Sequence, residues 1–96
     1  MRDYELIFIV QPDVDDEGFH VVVERVETII TNHGGEVSKT DLWGKRRLAY
    51  PIRKFREGYY ARMETKLQPD SIREIERDFR LTEPLMRHLI VRMDEV

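Results

Sequence analysis

Gly44-Lys45-Arg46-Arg47-Leu48-Ala49-Tyr50-Pro51-Ile52-Arg53 is the stretch whose residue types are best suited to chemistry, and that chemistry is anion binding. A guanidinium can fork two donors onto a phosphate or lay its plane on a base, and an ammonium displaces condensed counterions as a point charge. Lys45, Arg46, Arg47 and Arg53 supply the cations, and Tyr50 adds an aromatic face. An edge strand guarded against aggregation by its charges would carry similar residues, so the segment does not decide alone. The charge distribution adds weight. Residues 1–38 hold 2 basic and 9 acidic side chains, residues 39–62 hold 8 and 2, and residues 63–96 hold 6 and 8. A chain of net charge −3 that concentrates half its cations in one quarter of its length has a local anion-binding surface, not a generally basic one.

Other constellations are weaker. Asp13-Val14-Asp15-Asp16-Glu17-Gly18 followed by Glu24 imitates a calcium loop, but a strand-like run and Pro12 precede it where a helix should stand. Acids at a helix start are favoured by the unpaired N–H groups and the dipole, which accounts for them without a metal. His20, His33 and His88 are scattered, with no second ligand at fixed spacing, so no metal site is expected. No nucleophile sits beside a plausible base and no glycine-rich phosphate loop exists, so neither a cofactor nor an enzymatic activity is expected. Glu57-Gly58-Tyr59-Tyr60-Ala61-Arg62 only partly echoes the third strand of an RNA recognition motif. Glu57 stands where a base belongs, and adjacent Tyr59 and Tyr60 must face opposite sides, which puts one of them in the core. Trp43 is expected to pack under its strand.

The elements that position these residues follow from periodicity. Ninety-six residues without cysteine suffice for one domain, residues 1–96, burying roughly 60 to 65% of its unfolded surface. Tyr4, Leu6, Phe8 and Val10 alternate with Glu5, Ile7 and Ile9, which suits the middle of a sheet. From Asp15 or Asp16 the period changes, and Phe19, Val22, Val23, Val26, Ile29 and Ile30 mark one helix face that stops at Asn32 to Gly35. Val37 to Ile52 reads as one long strand or a hairpin of two, bent at Gly44, with Lys54 to Gly58 as the next turn. Tyr59 to Leu67 is a strand, Pro69 opens a helix carrying Ile72, Ile75 and Phe79, and Leu85 to Met93 is the last strand.

The order strand, helix, strand, strand, helix, strand predicts an α+β ferredoxin-like split βαβ fold (βαββαβ), a four-stranded antiparallel sheet with two helices on one face. The other face, with Ile7, Ile9 and Tyr60, must be solvated or covered by a partner. The longest apolar run, Leu6 to Val10, is far below a membrane span, so no membrane association is expected. With no export signal, the cytoplasm is the expected compartment.

Gly44 through Arg53 also resembles the most characteristic stretch of the bacterial small-subunit ribosomal protein six family. That stretch is a glycine, any residue, two polar or basic residues, leucine, a small residue, tyrosine, any residue, isoleucine or valine, and a basic or polar residue. Met1-Arg2-Asp3-Tyr4-Glu5, Gly58-Tyr59-Tyr60 and the total length are similar too, so the resemblance spans the chain. It implies a ferredoxin-like structural protein that binds small-subunit ribosomal RNA together with ribosomal protein eighteen of the small subunit. It implies RNA contacts at Arg2, Lys45, Arg46, Arg47 and Tyr50, with Arg53 closing the basic segment. Family members often end in a longer, acidic tail, whereas this sequence stops at Val96 after Asp94-Glu95. The alternative class is a non-ribosomal ferredoxin-like RNA-binding regulator or small enzyme.

Overall fold

A computed structural model describes residues 1–93. The elements run β1 (Arg2–Val10), α1 (Asp16–Asn32), β2 (Glu36–Ile52), β3 (Phe55–Leu67), a 3-10 turn (Pro69–Ser71), α2 (Ile72–Arg80) and β4 (Leu85–Arg92). The strands form one antiparallel sheet in the order β2-β3-β1-β4, so the strand that is apolar on both faces does lie inside it. The ferredoxin-like arrangement read from the sequence is the one observed.

The core lies between the sheet and the helices. Tyr4, Leu6, Phe8 and Val10 face it from β1, Tyr59, Ala61, Met63 and Leu67 from β3, and Ile75 and Phe79 from α2. All six periodic residues of α1 are buried. Asp15 caps that helix, its Oδ1 accepting the Gly18 N–H at 2.7 Å, so the acids of the calcium-like loop serve a helix start. Gly34, at φ +78°, ends it, and the Gly35 N–H returns to the Ile30 carbonyl at 2.9 Å. Asp15→Ala should destabilise the fold by ~1 kcal/mol, measured by chemical denaturation, with no change in the shape of the folded-state circular dichroism spectrum.

The connection between β2 and β3 differs from the sequence expectation. There is one long strand on each side, and the turn is at Arg53 and Lys54 (φ 50° and 70°), not at Lys54 to Gly58. Gly58 lies within β3 opposite Arg46. Its reason is close packing: a Cβ there would stand 2.5 Å from Ile9 Cγ2 and 3.0 Å from Met86 Cε. Ile9 therefore also departs from expectation. It is on the open face as its alternation requires, yet only 7% exposed, because the missing side chain of Gly58 lets it settle beside Met86. Gly58→Ala should destabilise by ~1–3 kcal/mol through overpacking, measured by urea denaturation; an unchanged midpoint would contradict this packing account.

Candidate nucleic-acid interface

Pairing of β1 with β3 ends at Val10↔Tyr59, whereas β2 and β3 continue pairing to Ile52↔Phe55. Beyond Tyr59 the two strands therefore form an arm that reaches past the end of β1. The basic segment is built on this arm. Gly44, at φ +79°, marks the bulge at its root, where the register shifts between Leu42 and Gly44.

Lys45 sits at the root on the helix side, its Nζ 5.2 Å from the centre of the Tyr59 ring, which itself stacks on Phe19 at 4.8 Å. Tyr59 is thus the core member of the tyrosine pair and Tyr60 the open-face one. Arg46 is exposed and spends one donor internally, Nε to the Trp43 carbonyl at 3.2 Å. Arg47 lines a groove with Pro12, Lys54, Phe55, Arg56 and its cross-strand neighbour Glu57, and among the described residues Arg47, Lys54 and Arg56 make no ion pair. Tyr50 is 48% exposed; its hydroxyl accepts a hydrogen bond from Arg87 Nη1, and the Arg87 guanidinium lies over its ring at 5.6 Å.

Two of the residues singled out from the sequence stand apart. Arg53 is used internally: Nη1 donates to Gln11 Oε1 at 2.8 Å and to the Glu83 carbonyl at 2.7 Å, which ties the tip of the arm to the ends of β1 and of the segment before β4. Arg2 lies opposite Leu67 at the other end of β1, eight residues and roughly 27 Å of strand from the level of Lys45. Lys45, Arg46, Arg47 and Tyr50 share the arm, with neighbouring strand residues on alternate faces; Arg2 is not on it. Lys54, Arg56 and Arg87 join them without having been singled out. The first two were visible in the charge count, whereas nothing in the β4 sequence pointed Arg87 at Tyr50.

The open face of the sheet has a different character. At its centre Arg62 bonds to Glu5, to Glu64 Oε2 at 3.0 Å and to Asp41 Oδ2 at 3.3 Å. The hydrogen bond that Arg62 donates to Glu5, then the one to Glu64, pushes the guanidinium pKa above its ordinary value, so Arg62 stays charged, and three carboxylates around one cation leave this centre net negative. Beside it run Ile7, opposite Leu89, and Val91, with Leu89 54% and Val91 44% exposed. Trp43 stacks on Tyr60 at 6.4 Å and 16° but remains 42% exposed, so it is packed less deeply than the sequence suggested.

The family model for ribosomal protein S6 matches residues 3–92. The chain belongs to the ribosomal protein S6 family. It is 43% identical over 95 residues to small ribosomal subunit protein bS6 of Moorella thermoacetica, covering 99% of this chain and 97% of that one. The bS6 protein of Caldanaerobacter subterraneus subsp. tengcongensis is 44% identical over 95 residues, covering 99% of this chain and 100% of its own. Among solved structures, 30S ribosomal protein S6 from Thermotoga maritima superposes with a TM-score of 0.90 at 34% identity, covering 96% of this chain and 87% of that one. Membership in the S6 family makes the chain a structural protein of the small ribosomal subunit and not an enzyme, which sets aside the alternative of a small enzyme or a non-ribosomal regulator.

Proposed function

We propose that the chain binds small-subunit ribosomal RNA through the β2–β3 arm, and that it does so paired with ribosomal protein eighteen. The observation that carries the RNA half is the arm itself: Lys45, Arg46, Arg47 and Arg56 project on two paired strands with Tyr50 among them and Lys54 in the turn that joins them, on a chain whose net charge is −3. Rigid strands hold the cations at fixed spacing, so little ordering entropy opposes phosphate contact, and counterion release favours it. Arg53 positions the arm and does not touch RNA. Arg2, at the far end of β1, meets a separate stretch of the same RNA.

The partner half rests on the open face. Leu89 and Val91 leave an apolar strip unburied beside a net-negative centre, a combination that suits a partner bringing apolar side chains and positive charge. Protein eighteen fills that role here, and two basic surfaces brought together present a larger footprint to RNA. Hydrogen exchange read by mass spectrometry tests the arrangement. Protein eighteen should slow exchange in β1 and β4, and small-subunit ribosomal RNA should then slow it in residues 45–56. Protection by RNA confined to other segments would overturn the assignment of the arm.

A further inference from the structure

We propose that the outer face of α2 is a second phosphate-binding surface, built from Arg73, Arg77 and Arg80, that extends the RNA footprint from the arm across the helix layer. The proposal rests on the reading that this chain binds RNA. The three arginines recur at i, i+4 and i+7, which places them along one face over roughly 10 Å of helix. They are exposed, and among the described residues none of them forms an ion pair or hydrogen bond to a side chain. That is unusual, because α2 carries as many acids as it needs to neutralise them.

The acids are engaged elsewhere. Glu76 stands four residues before Arg80, the favourable orientation for a helical ion pair, yet its Oε2 lies 2.9 Å from His88 Nε2 on β4. Asp78 Oδ2 lies 2.8 Å from His33 Nε2 at the end of α1, and Glu74 Oε2 lies 3.6 Å from His33 Nδ1. Glu76 and Asp78 are thus held by histidines on neighbouring elements, and although Glu74 and Glu76 share the groove of the arginines, no carboxylate of α2 pairs with them among the described residues. The helix dipole favours Arg77 and Arg80 in the last turn, but it disfavours Arg73 in the first, so the stripe as a whole does not serve the helix.

The stripe also connects to the arm. Arg73, Arg77 and Arg80 line one groove together with Asp70, Glu74 and Glu76, and Arg80 lines a second with Arg87, which holds the Tyr50 hydroxyl. Arg87 lies on the open face opposite Ile9, so a phosphate backbone leaving the arm at Tyr50 would round the β4 edge from Arg87 to Arg80 before following Arg77 and Arg73. Arginine suits this better than lysine, since its fork can hold two oxygens of one phosphate.

The test compares Arg73→Ala/Arg77→Ala/Arg80→Ala with Arg46→Ala/Arg47→Ala, each paired with protein eighteen and titrated with small-subunit ribosomal RNA across salt concentrations. The helix variant should bind at least ~10-fold more weakly at low salt, with a salt slope shallower by about two to three, and the corresponding triple lysine variant should recover most of the slope. If the helix variant keeps wild-type affinity and slope while the arm variant loses both, this inference fails alone. If neither changes, the reading of the chain as an RNA binder fails with it. Lost pairing with protein eighteen at an unchanged RNA slope would assign the stripe to a protein contact and overturn the proposal.

Discussion

Replacing Arg46 and Arg47 together by alanine should lower affinity for small-subunit ribosomal RNA by roughly a hundredfold at moderate salt and make the salt dependence shallower by about two. The loss belongs to the RNA contact because neither side chain holds the fold together. Both are exposed, Arg46 makes a single hydrogen bond to the Trp43 carbonyl, and Arg47 makes no ion pair among the described residues. Arg53→Ala should behave in the opposite way. Its guanidinium bonds to Gln11 and to the Glu83 carbonyl, so its removal should lower stability and loosen the arm while leaving the salt slope close to wild type. Filter binding over a salt series, with thermal denaturation beside it, separates the two behaviours. An Arg46/Arg47 variant with unchanged affinity and slope would leave the arm merely a charged edge.

Ile7→Glu or Leu89→Glu should leave the isolated chain folded and weaken pairing with protein eighteen by about thirtyfold or more, as for a truncated or reversed anchor at the centre of an interface. Ile7 and Leu89 face each other across β1 and β4 on the open sheet, outside the core cluster. A glutamate there adds negative charge beside Glu5, Asp41 and Glu64, which a partner attracted by that charge tolerates better than the loss of apolar contact. Ile9→Glu should instead unfold the chain, because Ile9 is enclosed beside Gly58 and Met86. Circular dichroism and a pull-down with protein eighteen distinguish these results. Retained pairing in both Ile7→Glu and Leu89→Glu would show that the partner does not cover this face.

Local pattern carried most of the fold. Six apolar residues at helical spacing and an Asp before them were enough for α1, since a cap and one buried face are both local facts. The turn between β2 and β3 was misplaced because Gly58 looks like a turn residue in its own neighbourhood, whereas its role is to make room for Ile9, 49 positions before it. Arg53 and Lys54 carry no local sign that they adopt positive φ, and the bonds that hold Arg53 come from residues 42 and 30 positions away. The site was legible where it was a matter of charge density, as at Lys45 to Arg47. It was not legible where a partner strand decides, as for Arg87 on Tyr50, or where distant histidines redirect the acids of α2. The acidic end, Asp94-Glu95-Val96, lies outside the described residues.

The most direct measurement is the affinity of the wild-type chain for small-subunit ribosomal RNA with and without protein eighteen, at one fixed salt concentration. The account predicts weak binding by the chain alone and a complex at least ~10-fold tighter once the partner is present, because pairing joins two basic surfaces into one footprint. Equal affinity in the two conditions, or no binding even with the partner, would contradict it.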